Sequence, residues 1–443
     1  MDGIIKDSVP NKISIADIYN FVKSTEKICV VKNKMYIQDS DGIWKLTSDR
    51  EAILKIRSMF CDKRWQPYLS YTMVLSIINN LKTDPDVQRE KDIFIHEFFV
   101  RLNDGIWDIR RECIMQPPEK MEFCRIVHAD VATSDRQEAK EFTNFCKRIF
   151  NEEYFEEKME ALYEIIGFCI SDIEKVKKAI FLIGPANCGK SVILRFIQRL
   201  IGEENVSNVP LNNFSQRFSI AEMYGKAVNI SGEVPTGTLP GRALDVFKSI
   251  TGNDRIELER KGGQPFSAVI NTKLVFAGNT LPIFGKIDGT NSLTERLHIL
   301  CFDKAVKEEE QDLLLEEKLW NERQYIVRQA LIKVNEFIKR NRTFMKLDDE
   351  MQLLKSLSNS NNPIAYYIET CLERDGEGFV HICTAYDLYC KLAVDNGLPD
   401  ISRREFRNIM STQSGISICD TKKRLNGKNP KTCFKGIKEK ITM

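Results

Sequence analysis

The middle of the chain alternates between continuous apolar runs and segments with helical periodicity. Apolar runs occupy residues 179–183, 227–230, 274–277 and 297–302. Apolar residues spaced three or four apart fill residues 191–200 and 242–250, after the first and second runs. Strands that alternate with helices predict an α/β fold with a largely parallel sheet. In such a sheet the ligand site lies at the carboxyl ends of the strands.

The first 175 residues mix strand and helix patterns. Residues 1 to about 30 are predicted to form one amphipathic helix, and Ser14 with Asp17 resembles a capping box. Other elements predicted here are a hairpin over residues 34–46 and helices at 51–60, 70–81, 142–149 and 162–169. We therefore predict an α+β accessory domain over residues 1–130 and a helical collar, or oligomerisation segment, over residues 131–175.

The tetrapeptide Asp-Gly-Ile-Trp occurs twice, at residues 41–44 and 104–107. Two copies are too few for a repeat architecture. We expect a strand turn followed by a buried tryptophan at each place.

The last third of the chain is predicted to be helical and then to form a small separate domain. Residues 308–339 have helical periodicity, and the polar stretch 356–363 is typical of a linker. Helices are predicted at about 363–374, 384–395 and 402–411, before a hairpin made of residues 416–419 and 432–434 with a turn at 426–427. Helices followed by a hairpin predict a winged-helix fold for residues 363–443.

A glycine-bounded loop joins the first apolar run to the helix that follows it. Its residues are Gly184, Pro185, Ala186, Asn187, Cys188, Gly189, Lys190 and Ser191. Glycines at both ends let backbone N–H groups point at one anion, and the helix start adds its positive dipole end. The lysine would reach the β- and γ-phosphates, and the serine hydroxyl would bind Mg²⁺. The alternative is a glycine-bounded turn that binds nothing.

Three polar residues follow or precede the later apolar runs, where a nucleotide on this loop would meet them. Glu233 is a candidate to orient water or hold Mg²⁺, and Asn279 is a candidate to sense the γ-phosphate. Arg296 is a candidate arginine finger that reaches a neighbour's nucleotide. The alternatives are a surface glutamate, a turn-forming asparagine, and an arginine paired with Glu295.

Two basic regions are candidates for nucleic-acid contact. An alternating segment, residues 255–264, predicts a hairpin whose tip carries Arg260 and Lys261. Residues 401–443 hold eleven Lys/Arg against three acids, and among them we select Lys422, Lys423, Arg424 and Lys428. The alternatives are a solvated hairpin turn and a solvated basic tail.

The composition of the chain limits which kinds of partner and site are expected but does not indicate one function. The net charge is only +2, from 65 Lys/Arg and 63 Asp/Glu, so any DNA contact must come from local patches. The 13 cysteines lack metal spacing and are typical of reduced, cytosolic thiols. No apolar run approaches the roughly 20 residues of a membrane span, and we expect no membrane partner.

The ordered set of motifs resembles the superfamily 3 helicase domain of phage, plasmid and poxvirus primase-helicases. The resemblance rests on the loop at 184–191 and on three later segments, residues 229–233, 276–282 and 294–302, and it covers about residues 90 to 440. It implies an AAA+-like ATPase domain over residues 176–345 that assembles as a hexameric ring on DNA. It also implies ATP and Mg²⁺ as cofactors and the cytoplasm of a prokaryotic host as the location.

The resemblance also implies roles for single residues. Lys190 and Ser191 would bind nucleotide and Mg²⁺, Glu233 would be the Walker B acid, and Asn279 would be sensor 1. Arg296 would act on a neighbouring subunit, and Arg260 and Lys261 would line the ring channel.

Two departures from the family pattern qualify these roles. Gly232 stands where the family often has a second acid, so the second Mg²⁺ ligand is open. The chain also lacks the primase domain that members often carry, so we expect a separate primase or initiator protein as partner.

Two functions stay open, a replicative DNA helicase and a nucleotide-switched DNA-binding loader that hydrolyses ATP without unwinding. A P-loop kinase of small molecules would leave the basic C-terminal unit unexplained.

Overall fold

The structure is a computed structural model. It describes residues 14–31, 34–60, 69–89, 94–116, 118, 121–131, 138–234, 237–282, 284, 293–396, 398–419, 422–425 and 429–440.

The N-terminal part contains two antiparallel three-stranded sheets and three helices. Its elements are α1 (Ile15–Thr25), β1 (Ile28–Val31), β2 (Lys34–Gln38), β3 (Trp44–Thr47), α2 (Asp49–Met59), α3 (Tyr71–Thr83), β4 (Phe99–Leu102), β5 (Gly105–Asp108) and β6 (Cys113–Met115). The predicted hairpin and helices are confirmed, and Ser14 with Asp17 forms the expected capping box. Both tryptophans of the duplicated tetrapeptide follow turns and are buried.

The first helix is shorter than predicted. It ends at Thr25, and the run Ile-Cys-Val-Val that follows is strand β1, buried along its whole length. β-branched residues fit a strand that is covered on both sides, and this short apolar run directly continues the apolar pattern of the helix before it.

The central unit is built on a five-stranded parallel sheet. Its elements are α4 (Lys140–Ile149), α5 (Phe155–Ile170), β7 (Ala179–Ile183), α6 (Lys190–Ile201), β8 (Val206–Ser207), β9 (Val228–Ser231), α7 (Gly241–Gly252), β10 (Arg255–Leu258), β11 (Phe266–Val269), β12 (Lys273–Gly278) and β13 (Leu297–Cys301). The strand order is β13-β7-β12-β9-β8, and every neighbouring pair is parallel. The predicted α/β fold is therefore confirmed. Strand β8, two residues long, was not predicted.

Side chains alternate between two hydrophobic layers that cover the sheet. In β7, Ile180 and Leu182 face the layer formed with α5 and α6, whereas Phe181 faces the layer formed with α7. Helices α4 and α5, and part of the β4–β5 sheet, belong to the first layer. Hydrophobic contacts thus run across the boundaries predicted at residues 130 and 175.

The region predicted to be helical after the sheet is helical but interrupted. Residues 308–339 form a 3-10 turn, α8 (Leu315–Asn321) and α9 (Arg323–Lys339). The break falls at Glu322, whose buried carboxylate instead accepts the N–H groups of Glu141 and Phe142 at the start of α4. A carboxylate at a helix N-terminus stabilises that helix.

The polar stretch predicted as a linker is the end of a helix. Helix α10 (Asp348–Asn361) runs through it and is followed almost directly by α11 (Pro363–Cys371). Its acidic first turn suits the helix dipole, and Leu353, Leu354 and Leu357 pack against the core. Tertiary packing therefore holds as helix a segment whose composition favours a loop.

The C-terminal unit has its own hydrophobic core. Its elements are α11, β14 (Leu372–His381), α12 (Ile382–Asn396), α13 (Arg403–Thr412), β15 (Ser417–Ile418) and β16 (Cys433–Glu439). The antiparallel sheet has the order β14-β16-β15, so the predicted hairpin is confirmed. The predicted first helix ends early because Leu372 begins β14, and the turn at 426–427 lies outside the described residues. Nowhere in the described chain is a helix long and apolar enough to cross a membrane.

Buried Lys273 generates a prediction about pH. Its ammonium caps α5 by donating to the carbonyl oxygens of Phe168, at 2.5 Å, and Ser171. Burial, with Arg125 nearby, lowers the pKa of Lys273 to about 7. From pH 7 to about 10 the unfolded state therefore binds more protons at this residue, so its contribution makes the free energy of unfolding rise with pH.

We expect Lys273→Met to remove this pH dependence. The difference in unfolding free energy, wild type minus variant, should rise by about 1–3 kcal/mol between pH 7 and pH 9.5. Urea unfolding at both pH values measures it, with exposed Lys177→Met as control. Parallel stability curves for wild type and Lys273→Met would contradict the assignment.

Candidate functional site

The loop predicted to bind phosphate lies at the carboxyl edge of the sheet, between β7 and α6. Its two ends are tied to the strands on either side. The N–H of Gly184 donates to the carbonyl of Gly278, at the end of β12, over 3.2 Å. The N–H of Phe302, after β13, donates to Ile183 over 2.7 Å, and Val306 N–H donates to Asn187 over 3.0 Å. The sheet therefore sets the position of the loop.

Glycine is required at both loop glycines by close contacts. A Cβ added at Gly184 would lie 2.4 Å from the carbonyl oxygen of Phe302. Gly189 has φ +86°, and a Cβ there would lie 2.5 Å from the ring of Phe145 in α4. These two aromatic residues fix how tightly the loop curls.

Lys190 is buried inside the loop. Its Nζ donates to the carbonyl oxygens of Gly184 at 2.7 Å and Pro185 at 2.6 Å, and lies 3.2 Å from Cys188 Sγ. The first hydrogen bonds of α6 are donated by Val192 and Ile193. The N–H groups of Lys190 and Ser191 thus come before the first hydrogen bonds within the helix, in the position where helix N-termini bind anions.

The rest of the loop faces solvent. Pro185, Ala186, Asn187 and Ser191 are exposed, whereas Cys188 is buried. An anion would therefore reach the backbone of the loop and the serine hydroxyl from outside.

Glu233 and Asn279 lie at the same edge of the sheet as the loop. They follow β9 and β12, which are neighbours, and both are exposed. Val234 packs on Gly278, where an added Cβ would lie 2.8 Å from the Val234 Cβ. Ser231 Oγ donates to the Glu233 carbonyl over 3.2 Å and shapes the turn. Asn279 thus follows the strand beside β7, and Glu233 follows the next strand along the same edge.

Arg296, unlike Glu233 and Asn279, does not lie at this edge. It ends a 3-10 turn that precedes β13, and Leu297 pairs with Ala179 at the start of β7. A residue before a parallel strand lies at the amino edge, about 15 Å from the carboxyl edge for a five-residue strand. Arg296 is therefore remote from the loop of its own chain.

The donor set at the loop suits Mg²⁺ better than a transition metal. Among the described residues, no group of three or more His, Cys, Asp or Glu is placed to hold a metal ion. Mg²⁺ keeps several waters and needs only one or two carboxylates beside substrate phosphates. The Ser191 hydroxyl and the Glu233 carboxylate fit that requirement.

The predicted basic hairpin is confirmed as β10 paired with β11. Arg260 and Lys261 are exposed at its tip, and Glu259 beside them forms an ion pair with Arg217. The hairpin borders a cleft of about 2020 Å³ that separates it from β2 and β3 of the N-terminal part. The cations at the tip are therefore accessible to a large ligand.

The C-terminal cations lie on two surfaces. Lys422, Lys423 and Arg424 are exposed between β15 and β16, and Lys428 lies outside the described residues. A second set, Arg403, Arg404 and Arg407, is exposed on α13. The sequence analysis did not select this second set, and the only signal for it in the sequence is that these three arginines are spaced to share one face of a helix.

A buried lysine that the sequence analysis missed supports the site from behind. Lys158, on α5, is 1% exposed, and its Nζ lies 2.7 Å from Asp303 Oδ1, just after β13. Although burial lowers it, the neighbouring carboxylates of Asp303 and Asp349 leave the pKa of Lys158 above its ordinary value. The sequence does contain a signal for this buried lysine, because helical spacing places Lys158 on the same apolar face as Leu162, Ile165 and Cys169.

The contact between Gly184 and Phe302 predicts a large effect of one methyl group. We expect Gly184→Ala to lower the free energy of unfolding by about 1–3 kcal/mol, because the backbone of Phe302 must move. Gly232→Ala is the control, since a Cβ there meets nothing within 4 Å. Urea unfolding of both variants checks this, and equal effects would contradict the packing described.

Comparisons with known proteins agree with this fold and leave the activity open. Residues 182–296, from the start of the loop region to Arg296, match the family of unknown function DUF5906. No curated protein matches the sequence significantly. The A form apo structure of the NrS-1 C terminal region has a TM-score of 0.53 at 12% identity, covering 96% of this chain and 100% of that one. An apo structure of NrS-1 residues 305–718 gives the same values, and a further A form structure gives 0.51 at 12% identity with 95% and 98% covered. At this identity the likeness concerns the fold, and it extends along nearly the whole chain.

Proposed function

We propose that the chain is an ATP-dependent DNA helicase of the superfamily 3 type, which acts in the replication of a phage or plasmid as a hexameric ring. The observation that carries the proposal is the loop at 184–191, held at the carboxyl edge of the sheet with Lys190 inside it and with Glu233 and Asn279 at the same edge. ATP would bind on the loop, and Mg²⁺ bound with it would neutralise charge on the phosphates.

Each residue at this edge of the sheet would have its own role in hydrolysis. The amides at the start of α6 would hold phosphate oxygens, and Lys190 would exchange its loop carbonyls for the β- and γ-phosphates. Glu233 would orient the attacking water, and Asn279 would contact the γ-phosphate. The exposure of both side chains supports these roles, because ligand can reach them directly.

The position of Arg296 supports hydrolysis between subunits. At the amino edge it is remote from its own loop, so only the loop of another copy offers it a nucleotide. A head-to-tail contact that joins opposite edges of a molecule forms a ring when the rotation between subunits closes. Each ATP would then lie between two subunits.

Two basic surfaces would bind DNA. Arg260 and Lys261 on the hairpin would contact the backbone in the ring channel. The C-terminal unit has the helices, the hairpin and the exposed cations expected of a winged helix, with three arginines on α13. Helix α13 would enter a duplex groove, while the lysines between β15 and β16 contact phosphates.

A second candidate function is a DNA-binding loader that hydrolyses ATP without unwinding. The observation that favours it is Gly232, which replaces a second acid beside Glu233 and leaves few Mg²⁺ ligands. Both functions use the same loop, so unwinding has to separate them.

We expect Lys190→Ala to lower ATP hydrolysis by about 10²-fold or more, because the variant lacks the cation that stabilises charge on the transferred phosphate. Strand release from forked DNA should be lost in parallel. The control is Lys177→Ala, at an exposed lysine away from the loop. DNA-stimulated hydrolysis without unwinding by wild type would favour the loader, and a wild type without ATPase activity would contradict both functions.

Mixing two inactive variants tests the role of Arg296. Arg296→Ala should lose about 10³–10⁵-fold in hydrolysis rate. When the two variants are mixed in equal amounts and form rings at random, about a quarter of the interfaces combine an intact loop from one subunit with an intact arginine from its neighbour. Hydrolysis should therefore partly return. If Arg296 acts only within its own chain, mixing restores nothing.

A further inference from the structure

Lys158 joins two segments that belong to different parts of the molecule. Its Nζ donates to Asp303 Oδ1 at 2.7 Å and to the Cys301 carbonyl at 3.1 Å, and forms an ion pair with Asp349 Oδ2 at 2.7 Å. The ammonium thus hydrogen-bonds to the segment around the end of β13 and is paired by charge with Asp349. A buried charge depends on keeping its partners, so movement of either carboxylate forces Lys158 to follow or to lose an ion pair.

The Asp303 side of this junction supports the nucleotide loop. Asp303 Oδ2 accepts the N–H of Asn151 at 2.8 Å, and the N–H groups of Asp303 and Lys304 donate to the Ile149 carbonyl. On either side of these residues, Phe302 packs on Gly184 and Val306 bonds to Asn187. A change in the loop therefore acts on Asp303 from both sides.

The Asp349 side leads to the C-terminal unit. Asp349 lies in the first turn of α10, and its neighbour Glu350 is buried and accepts the N–H of Ile299 at 2.8 Å. Helix α10 ends at Asn361, about 20 Å further on, and α11 begins at Pro363. With no flexible linker between them, a tilt of α10 moves the unit that carries the exposed arginines of α13.

We propose that Lys158 is a positioning residue that couples nucleotide binding at the loop to the DNA affinity of the C-terminal unit. The inference rests on the proposed function, since it needs both ligands. ATP displaces the segment after β13, Lys158 transmits the displacement to Asp349, and α10 reorients the basic unit. Coupling of this kind is reciprocal, so DNA changes the affinity for ATP by the same factor.

The chain offers a matched control for a purely structural role. Lys333 is also little exposed and also pairs with two carboxylates, Glu160 at 3.1 Å and Glu336 at 3.0 Å. Those pairs join only α5 and α9, away from both the loop and α10. Lys333→Met should therefore reduce stability without changing the coupling.

The experiment measures binding of a fluorescent, non-hydrolysable ATP analogue and of a labelled forked DNA to the full chain, each with and without the other. In wild type we expect each ligand to change the affinity of the other by about 5–150-fold. In Asp349→Asn this factor should fall towards one, while the affinity for the analogue without DNA stays within about threefold. Asp349→Glu, which keeps the charge, should retain part of the coupling.

The outcomes separate this inference from the function on which it rests. Wild type that binds neither analogue nor DNA would overturn the proposed function and the inference with it. Wild type that binds both independently would overturn only the inference, as would full coupling in a folded Asp349→Asn. If Asp349→Asn fails to fold, Asp349→Glu decides between the same outcomes, since weakened coupling supports the inference and wild-type coupling opposes it.

Discussion

The contact between Gly184 and the end of β13 constrains much of the central unit. Phe302 packs on the glycine, and its N–H donates to the carbonyl of Ile183, so the loop is held directly against the end of the last strand. Protein interiors are close-packed, and small shifts at such contacts are passed on rather than absorbed. The segments behind this contact, from α4 through Asp303 to α10, thereby become part of the support of the site.

Several charges are buried behind this site, and each lies at a junction between elements. Lys158 joins α5 to β13 and α10, Lys273 of β12 caps α5, and Glu322 caps α4. Buried ionic groups are weak evidence for stability, because desolvation offsets much of their attraction. Their placement at junctions instead makes the relative position of the elements specific, which a site assembled from several strand ends requires.

Hydrophobic and polar spacing was enough to predict the central strands, the loop and most helices. Periodicity is a local property, and the strands of the sheet are buried on both faces, so their apolar runs are distinct. Packing decided the exceptions. The polar end of α10 is helical because the earlier turns of the helix pack on the core. Strand β1 was not predicted because it is short and directly follows a helix.

The sequence by itself determined the composition of the candidate site, namely the glycines, Lys190, Ser191, Glu233 and Asn279, because a phosphate loop and strand-end polar groups are local patterns. Only the tertiary structure decided their surroundings. Strand order and direction placed Asn279 and Glu233 at the same edge as the loop, on the first and second strands from β7, and placed Arg296 at the opposite edge. The partners of Lys158 are also distant in sequence, since a buried ion pair depends on which elements meet and no spacing rule specifies that.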